Sequence, residues 1–286
     1  MVSCDPGSNA SPRAVPGPRS LTSTSSRRKG SRDRVALITW PRARDAKIGC
    51  KISLEWDLVA RVHTNAIPVV VVGYSLAQAL GENPLANRRV ALWRIRRHKT
   101  VRLSFAIDGG DSLKIAVVDR ADTFNCREFQ RALSVSVRQA RRGIGPLDRA
   151  RRLLEGVPVV VGRPALRLWS FVAAGLGIGL FGVPGAPFGA ALISSLERFK
   201  LPAADVPFIP FTRCALVCSV GSITPTVVAR GGSAAVVDVV EVALTFDHRV
   251  CDASQLAAVL QSFYSACYGP DWSSRDGFGV NLSAQI

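Results

Sequence analysis

Apolar positions follow two rhythms along this chain. Val239-Val240-Glu241-Val242-Ala243-Leu244-Thr245-Phe246 is an almost unbroken apolar run, which reads as a buried strand. Just beyond it, Leu256, Val259, Leu260 and Phe263 recur at helical spacing. Asp252, with Gln255 three residues later, supplies an acidic N-cap and a capping box for that helix. Residues 247–251 are therefore a strand-to-helix turn. Upstream, 35–40 and 50–56 read as strands, and 67–80 is an apolar run that becomes helical over 75–80. Residues 90–95 and 101–107 alternate as a strand pair around a basic turn, and 114–118 is a further strand. An arginine-rich helix is predicted over 126–142, and 215–220, 226–229 and 236–246 complete a sheet. This order predicts a mixed α/β domain without internal repeats.

Composition sets the limits of that domain. With 286 residues the chain can bury one sizeable core or two small ones. Residues 1–34 are rich in Pro, Ser, Gly and Arg and have little to bury, so a disordered basic tail is expected there. The segment lacks the apolar centre of a secretory signal. Residues 269–286, with Gly269, Pro270 and Gly277, are expected to form a loose C-terminal tail, leaving 35–268 as the folded body. Seven scattered cysteines show no disulfide framework and favour a reducing compartment, the cytoplasm or alternatively the mitochondrial matrix. Three distant histidines form no metal-ligand pattern.

The charge of +16 is unevenly spread. Seven basic residues and no acid lie between 88 and 102, and eight arginines lie between 127 and 152. Such density attracts polyanions, phosphate-bearing coenzymes or an acidic partner domain, or it is simply a solvated surface. No helix-turn-helix, RNP-like or zinc-finger pattern is present, so no specific nucleic-acid partner is expected. Residues 168–196 carry no charge, but only 16 of them precede Pro184. That is short of the ~20 needed to cross a bilayer, so an interfacial or buried apolar segment is expected rather than a membrane span. Gly177-x-Gly179-x-x-Gly182 matches a dinucleotide fingerprint, but Pro184 and Pro187 follow where its helix would have to start.

The chemistry centres on the turn Asp247-His248-Arg249-Val250-Cys251-Asp252-Ala253. A histidine held between a strand and a helix can face a cleft while its scaffold stays still, and imidazole suits proton transfer near neutral pH. Asp-His-Arg-x-x-Asp after an apolar strand resembles the C-terminal signature of the acyltransferase component of 2-oxo acid dehydrogenase complexes. That family shares its His-x-x-x-Asp-Gly motif and its fold with chloramphenicol acetyltransferase. Ala253 stands where the motif has Gly. Gly189-Ala190-Ala191-Leu192-Ile193-Ser194-Ser195-Leu196 resembles the family segment Gly-Thr-Phe-Thr-Ile-Ser-Asn-Leu, with both Thr positions and the Asn changed. Residues 213–223 are similar to the strand that follows it. Pro84-Leu85-Ala86-Asn87 resembles the Pro-x-Leu-Asn-Ala element, and 105–108 with 113–119 resembles a pair of N-terminal strands.

The resemblance implies a two-layer chloramphenicol acetyltransferase-like α/β fold and acyl transfer between coenzyme A and a second thiol, without an acyl-enzyme. His248 would be the general base and Ser194 the oxyanion donor. Asp252 would ion-pair with an arginine that braces the loop, with Arg42 and Arg44 as candidates. Cys251, beside His248, reads as a buried packing thiol. Relatives form trimers with the active site between subunits, so a homotrimer or a multiple of three is implied. The chain shows no lipoyl-type Asp-Lys-Ala segment and no Ala-Pro linker, so no lipoyl group is expected on it. A dihydrolipoyl donor would come on another chain, or the acceptor would be a small molecule. The other reading is a non-catalytic relative that serves as an assembly or binding subunit.

Overall fold

A computed structural model describes residues 46–91, 94–108, 113–144, 147–148, 157–180, 182–230 and 232–272. The strand expected at 35–40, the tail at 1–34, and Arg42 and Arg44 lie outside the described residues. Strand β1 (Lys47–Glu55) leads into helix α1 (Trp56–Val62) and helix α2 (Pro68–Glu82). A hairpin, β2 (Arg88–Ala91) and β3 (Arg94–Arg97), precedes β4 (Leu103–Asp108), β5 (Leu113–Val118) and helix α3 (Cys126–Arg141). Helix α4 (Val159–Trp169) continues into a π-helical turn over Ser170–Leu176. Strands β6 (Ala191–Ser195), β7 (Leu216–Arg230) and β8 (Ser233–Asp247) then lead to helix α5 (Ala253–Tyr268).

The main sheet has six strands in the order β1-β8-β7-β6-β4-β5. Its centre is parallel, β4 and β7 flanking β6, and the outer pairs are antiparallel. This is the mixed α/β architecture expected from the element order. The principal core lies between the sheet and helices α1, α2, α3 and α5, around Leu54, Leu76, Phe129, Phe246 and Phe263. Each fully buried side chain of this size contributes about 1.5–3 kcal/mol. A smaller cluster of Phe188, Leu192 and Cys214 covers the other face, with Trp169 and Phe211 packed on it.

Local pattern and tertiary structure part in three places. The apolar run at 67–80 is expected to become helical only over 75–80, yet α2 is helical from Pro68, which occupies the first helical turn. The helix is wrapped by core, so burial outweighs the small helix penalty of valine. Gly73 fits because a β-carbon there would lie 2.8 Å from the Phe105 ring. Next, residues 90–95 do not pair with 101–107. They form β2 and β3, which pair only with each other, while β4 pairs with β5 and β6. Bonding between His98 N–H and Asn87 O (3.0 Å) closes that hairpin on itself. Finally, 215–220 and 226–229 are one strand, β7, with a bulge between Val220 and Ile223. The folded body also reaches past residue 268, because Trp272 is buried and stacks on Tyr264.

His98 is buried in the hairpin, 3.4 Å from Arg89 Nη1 through Nδ1. Desolvation, then the Arg89 and Arg102 charges, push its pKa down to about 3. The unfolded chain takes up a proton near the ordinary histidine pKa while the folded chain does not. Stability is therefore full above that value and falls as pH drops toward the folded one. Between pH 6 and pH 4.5 this linkage costs about 2 kcal/mol. Urea unfolding over that window should show the loss, and His98→Leu should flatten it.

Candidate active site

The turn after β8 is tightly tied. Asp247 N–H donates to Ala215 O (2.8 Å) and His248 N–H to Ala46 O (2.6 Å). Val250 and Cys251 N–H both donate to Asp247 O, at 2.8 and 3.0 Å. The Asp247 carboxylate is only 4% exposed and takes Arg249 Nη2 on Oδ2 (2.7 Å) and Nε on Oδ1 (2.9 Å). From outside, Arg88 Nη2 donates to Val250 O at 2.5 Å. These bonds hold His248, which is half-buried, at the end of the sheet.

The His248 ring contacts Cys251 O through Nδ1 at 3.2 Å. A carbonyl only accepts, so this contact puts the proton of the neutral ring on Nδ1 and the lone pair on Nε2. That tautomer can take a proton at Nε2. Cys251 is a buried thiol packed into the principal core, its Sγ 3.6 Å from Asp252 O. Asp252 caps α5, accepting from Gln255 N–H (2.7 Å) and Ser254 Oγ (2.8 Å), and Gln255 Oε1 accepts from Asp252 N–H (3.2 Å). Ala253 opens α5 and is not among the residues with positive φ, so alanine costs nothing at this position of the motif.

Ser194 lies elsewhere. It is half-buried in β6, aligned with Ala106 of β4 and Ser219 of β7. It lines a cleft of about 480 Å³ with Phe105, Ile107, Leu133, Val137 and Arg198. Arg198 pairs with Asp108 beside it. The strand starts behind Gly189, whose φ of +70° and whose approach to Arg102 O, 2.0 Å from where a β-carbon would sit, admit no side chain. Ser219 is level with Ala243 of β8, and His248 comes five residues later. At strand spacings, Ser194 and His248 of one chain are roughly 19 Å apart. One chain therefore brings Asp252 beside His248 but does not bring Ser194 to either.

Several ties were not foreseen from the sequence. The Asp247–Arg249 pair sits within the turn motif. Arg88 and Arg89 were visible only as part of a basic run, yet they fasten β2 to Val250 O and Gly175 O. Arg102 is similarly spent on Gly185 O, Ala186 O and Asp119. Arg213, at φ +53°, donates to Ser170 Oγ (3.3 Å) and lies over the Phe171 ring at 6.0 Å. Burial, and then the Arg249 charge, lower its pKa. Among the described residues, no group of three or more His, Cys, Asp or Glu side chains is placed to hold a metal ion.

The model of the family described as 2-oxoacid dehydrogenases acyltransferase (catalytic domain) matches residues 57–148 and 201–270. The match includes His248 and Asp252 and passes over 149–200, where Ser194 lies. Among solved structures, a probable dihydrolipoamide acetyltransferase from Listeria monocytogenes 4b F2365 is 18% identical, with a TM-score of 0.56 over 93% of this chain and 99% of that one. The Azotobacter vinelandii dihydrolipoamide acetyltransferase is 14% identical, with a TM-score of 0.54 over 86% and 88%. The cubic core of the pyruvate dehydrogenase multienzyme complex is 14% identical, with a TM-score of 0.53 over 86% and 88%. These likenesses concern the fold. No curated protein matches the chain significantly. The family match covers more than half of the chain, from the first helix to the helix behind the histidine turn, so the chain belongs to the 2-oxoacid dehydrogenases acyltransferase family, as its catalytic domain, and is an acyltransferase.

Proposed function

We propose that this acyltransferase moves an acyl group between coenzyme A and a second thiol, with His248 as general base. The observation that carries this reading is the His248 ring, held by its turn with Nδ1 on Cys251 O. Nε2 takes the thiol proton, the thiolate attacks the thioester carbonyl, and a tetrahedral oxyanion forms. Its collapse expels the other thiolate, which recovers the proton from His248. The acceptor is a dihydrolipoyl group on another chain, or a small thiol. The exposed arginines draw the anionic coenzyme toward the protein. Six free cysteines among the described residues support a reducing compartment, and we place the reaction in the cytoplasm.

Ser194 stabilises the oxyanion from a neighbouring subunit. The separation of Ser194 and His248 within one chain supports this arrangement, since a homotrimer can join the β6 end of one subunit to the β8 turn of the next. Asp252 touches no substrate; it fixes the start of α5 and with it the backbone carbonyl that orients His248.

Light scattering should report a trimer or a multiple of three; a stable monomer would remove the shared site. Subunit mixing is the sharper test. Ser194→Ala and His248→Ala chains, each impaired alone, should regain activity when co-expressed. The expected level is about a quarter of wild type, the statistical share of interfaces with both groups intact. Mixed trimers that stay as inactive as their parents would refute the intersubunit assignment. A folded, trimeric wild type without transfer activity would instead favour a non-catalytic assembly subunit, a reading that draws on Ser194 lying outside the family match.

A further inference from the structure

Surface helices normally turn polar side chains to water. Helix α4 does the reverse. Val160, Pro164 and Leu168, spaced i, i+4 and i+8, form an outward stripe with Val161 beside it. Val160 is 84% exposed, Leu168 65% and Val161 58%. The opposite side is the one that packs, with Trp169 edge-on to Phe188 and Ser170 Oγ donating to Phe211 O. A stripe this apolar and this open marks an interaction surface.

The surrounding charge selects the partner. Exposed Arg163 and Arg167 flank the stripe on the same helix. The π turn that continues α4 is tied to β2 through Arg89 and Gly175 O, and the same hairpin presents Arg94, Arg96 and Arg97 to solvent. Among the described residues, none of these five arginines has an ion-pair partner. Residues 157–196 contain no Asp or Glu. A twofold contact between two copies would bring the same arginines into opposition, at a net charge of +16 per chain. An anionic lipid surface supplies both an apolar layer and phosphates. By length and composition Val159–Leu176 could cross a bilayer. Against crossing, Arg163, Pro164 and Arg167 interrupt it, and Ala173, Ala174 and Gly175 are buried in the protein body.

We propose that α4 seats the protein in the plane of an anionic phospholipid bilayer. Val160, Val161, Pro164 and Leu168 enter the acyl boundary, and Arg163 and Arg167 meet headgroup phosphates. This function lies beyond acyl transfer and does not depend on it.

Vesicle flotation of the full chain tests it. Wild type should float with vesicles of equal parts phosphatidylcholine and phosphatidylglycerol and stay behind with pure phosphatidylcholine. Val160→Glu with Leu168→Glu should weaken binding at least about tenfold. Arg163→Gln with Arg167→Gln should weaken it about fivefold per arginine. The basic residues of positions 1–34 are present in every variant, so the differences report on the helix. Thermal unfolding and light scattering accompany each variant. If the glutamate pair disturbs folding, the glutamine pair, at exposed positions, decides. Variants that float like wild type would overturn the proposal. So would a glutamate pair that breaks an oligomer yet leaves flotation unchanged, since that outcome would give the stripe to a second copy.

Discussion

His248→Ala should lower acyl transfer by about 10²–10⁴-fold and leave the fold intact. The loss follows from the proposed role of His248, in which the ring takes the thiol proton. The fold survives because the turn is held mainly by backbone bonds that alanine keeps: His248 N–H to Ala46 O, and Val250 and Cys251 N–H to Asp247 O. Steady-state transfer from an acyl-coenzyme A to dihydrolipoamide, with unfolding curves alongside, checks both halves. Apparent affinity for the coenzyme should stay near wild type, since the base acts in the transition state more than in binding. A variant that keeps the wild-type rate would exclude His248 as the base.

Arg249→Met should destabilise the protein by about 3–5 kcal/mol, because it strands a buried carboxylate. Asp247 is 4% exposed and Arg249 10%, and the guanidinium reaches both carboxylate oxygens. Replacing both partners, Asp247→Leu with Arg249→Met, should recover most of the loss, since apolar pairs of similar volume often equal a buried ion pair. Denaturant unfolding of the single and double variants reads this directly. A single variant within about 1 kcal/mol of wild type would mean that the pair behaves like an exposed one. The single variant should also lose activity beyond its loss of folded fraction, because the pair shapes the turn that positions His248.

Much of the fold was legible in local pattern, where a short window contains the whole cause. Helix α5 was visible in full, because its capping box and its Leu256, Val259, Leu260 and Phe263 stripe are all within a dozen residues. Helix α3 was equally plain, with Asn125 and Glu128 closing its own box. The histidine turn was legible for the same reason. Pairing was not. Nothing local distinguishes a β2 that pairs with β3 from one that pairs with β4, since both partners alternate alike and only three-dimensional closure chooses. Local pattern places the start of α2 too late because the helical state of its valine run is imposed by burial on several sides.

The site divides along the same line. From the sequence alone came an α/β domain, the place of His248 between strand and helix, and the capping role of Asp252, all of them properties of contiguous residues, while the acyltransferase reading came from the family resemblance of that turn. Tertiary structure decided the rest. It spent Arg88, Arg89 and Arg102 of the basic run on backbone carbonyls and left Arg94, Arg96 and Arg97 in water. It turned the apolar side of α4 outward, which depends on the packing of Trp169 and Ser170 and not on the helix's own sequence. It also set Ser194 and His248 at different levels of the sheet, because strand order and register, the product of contacts far apart in the chain, determine which side chains can meet.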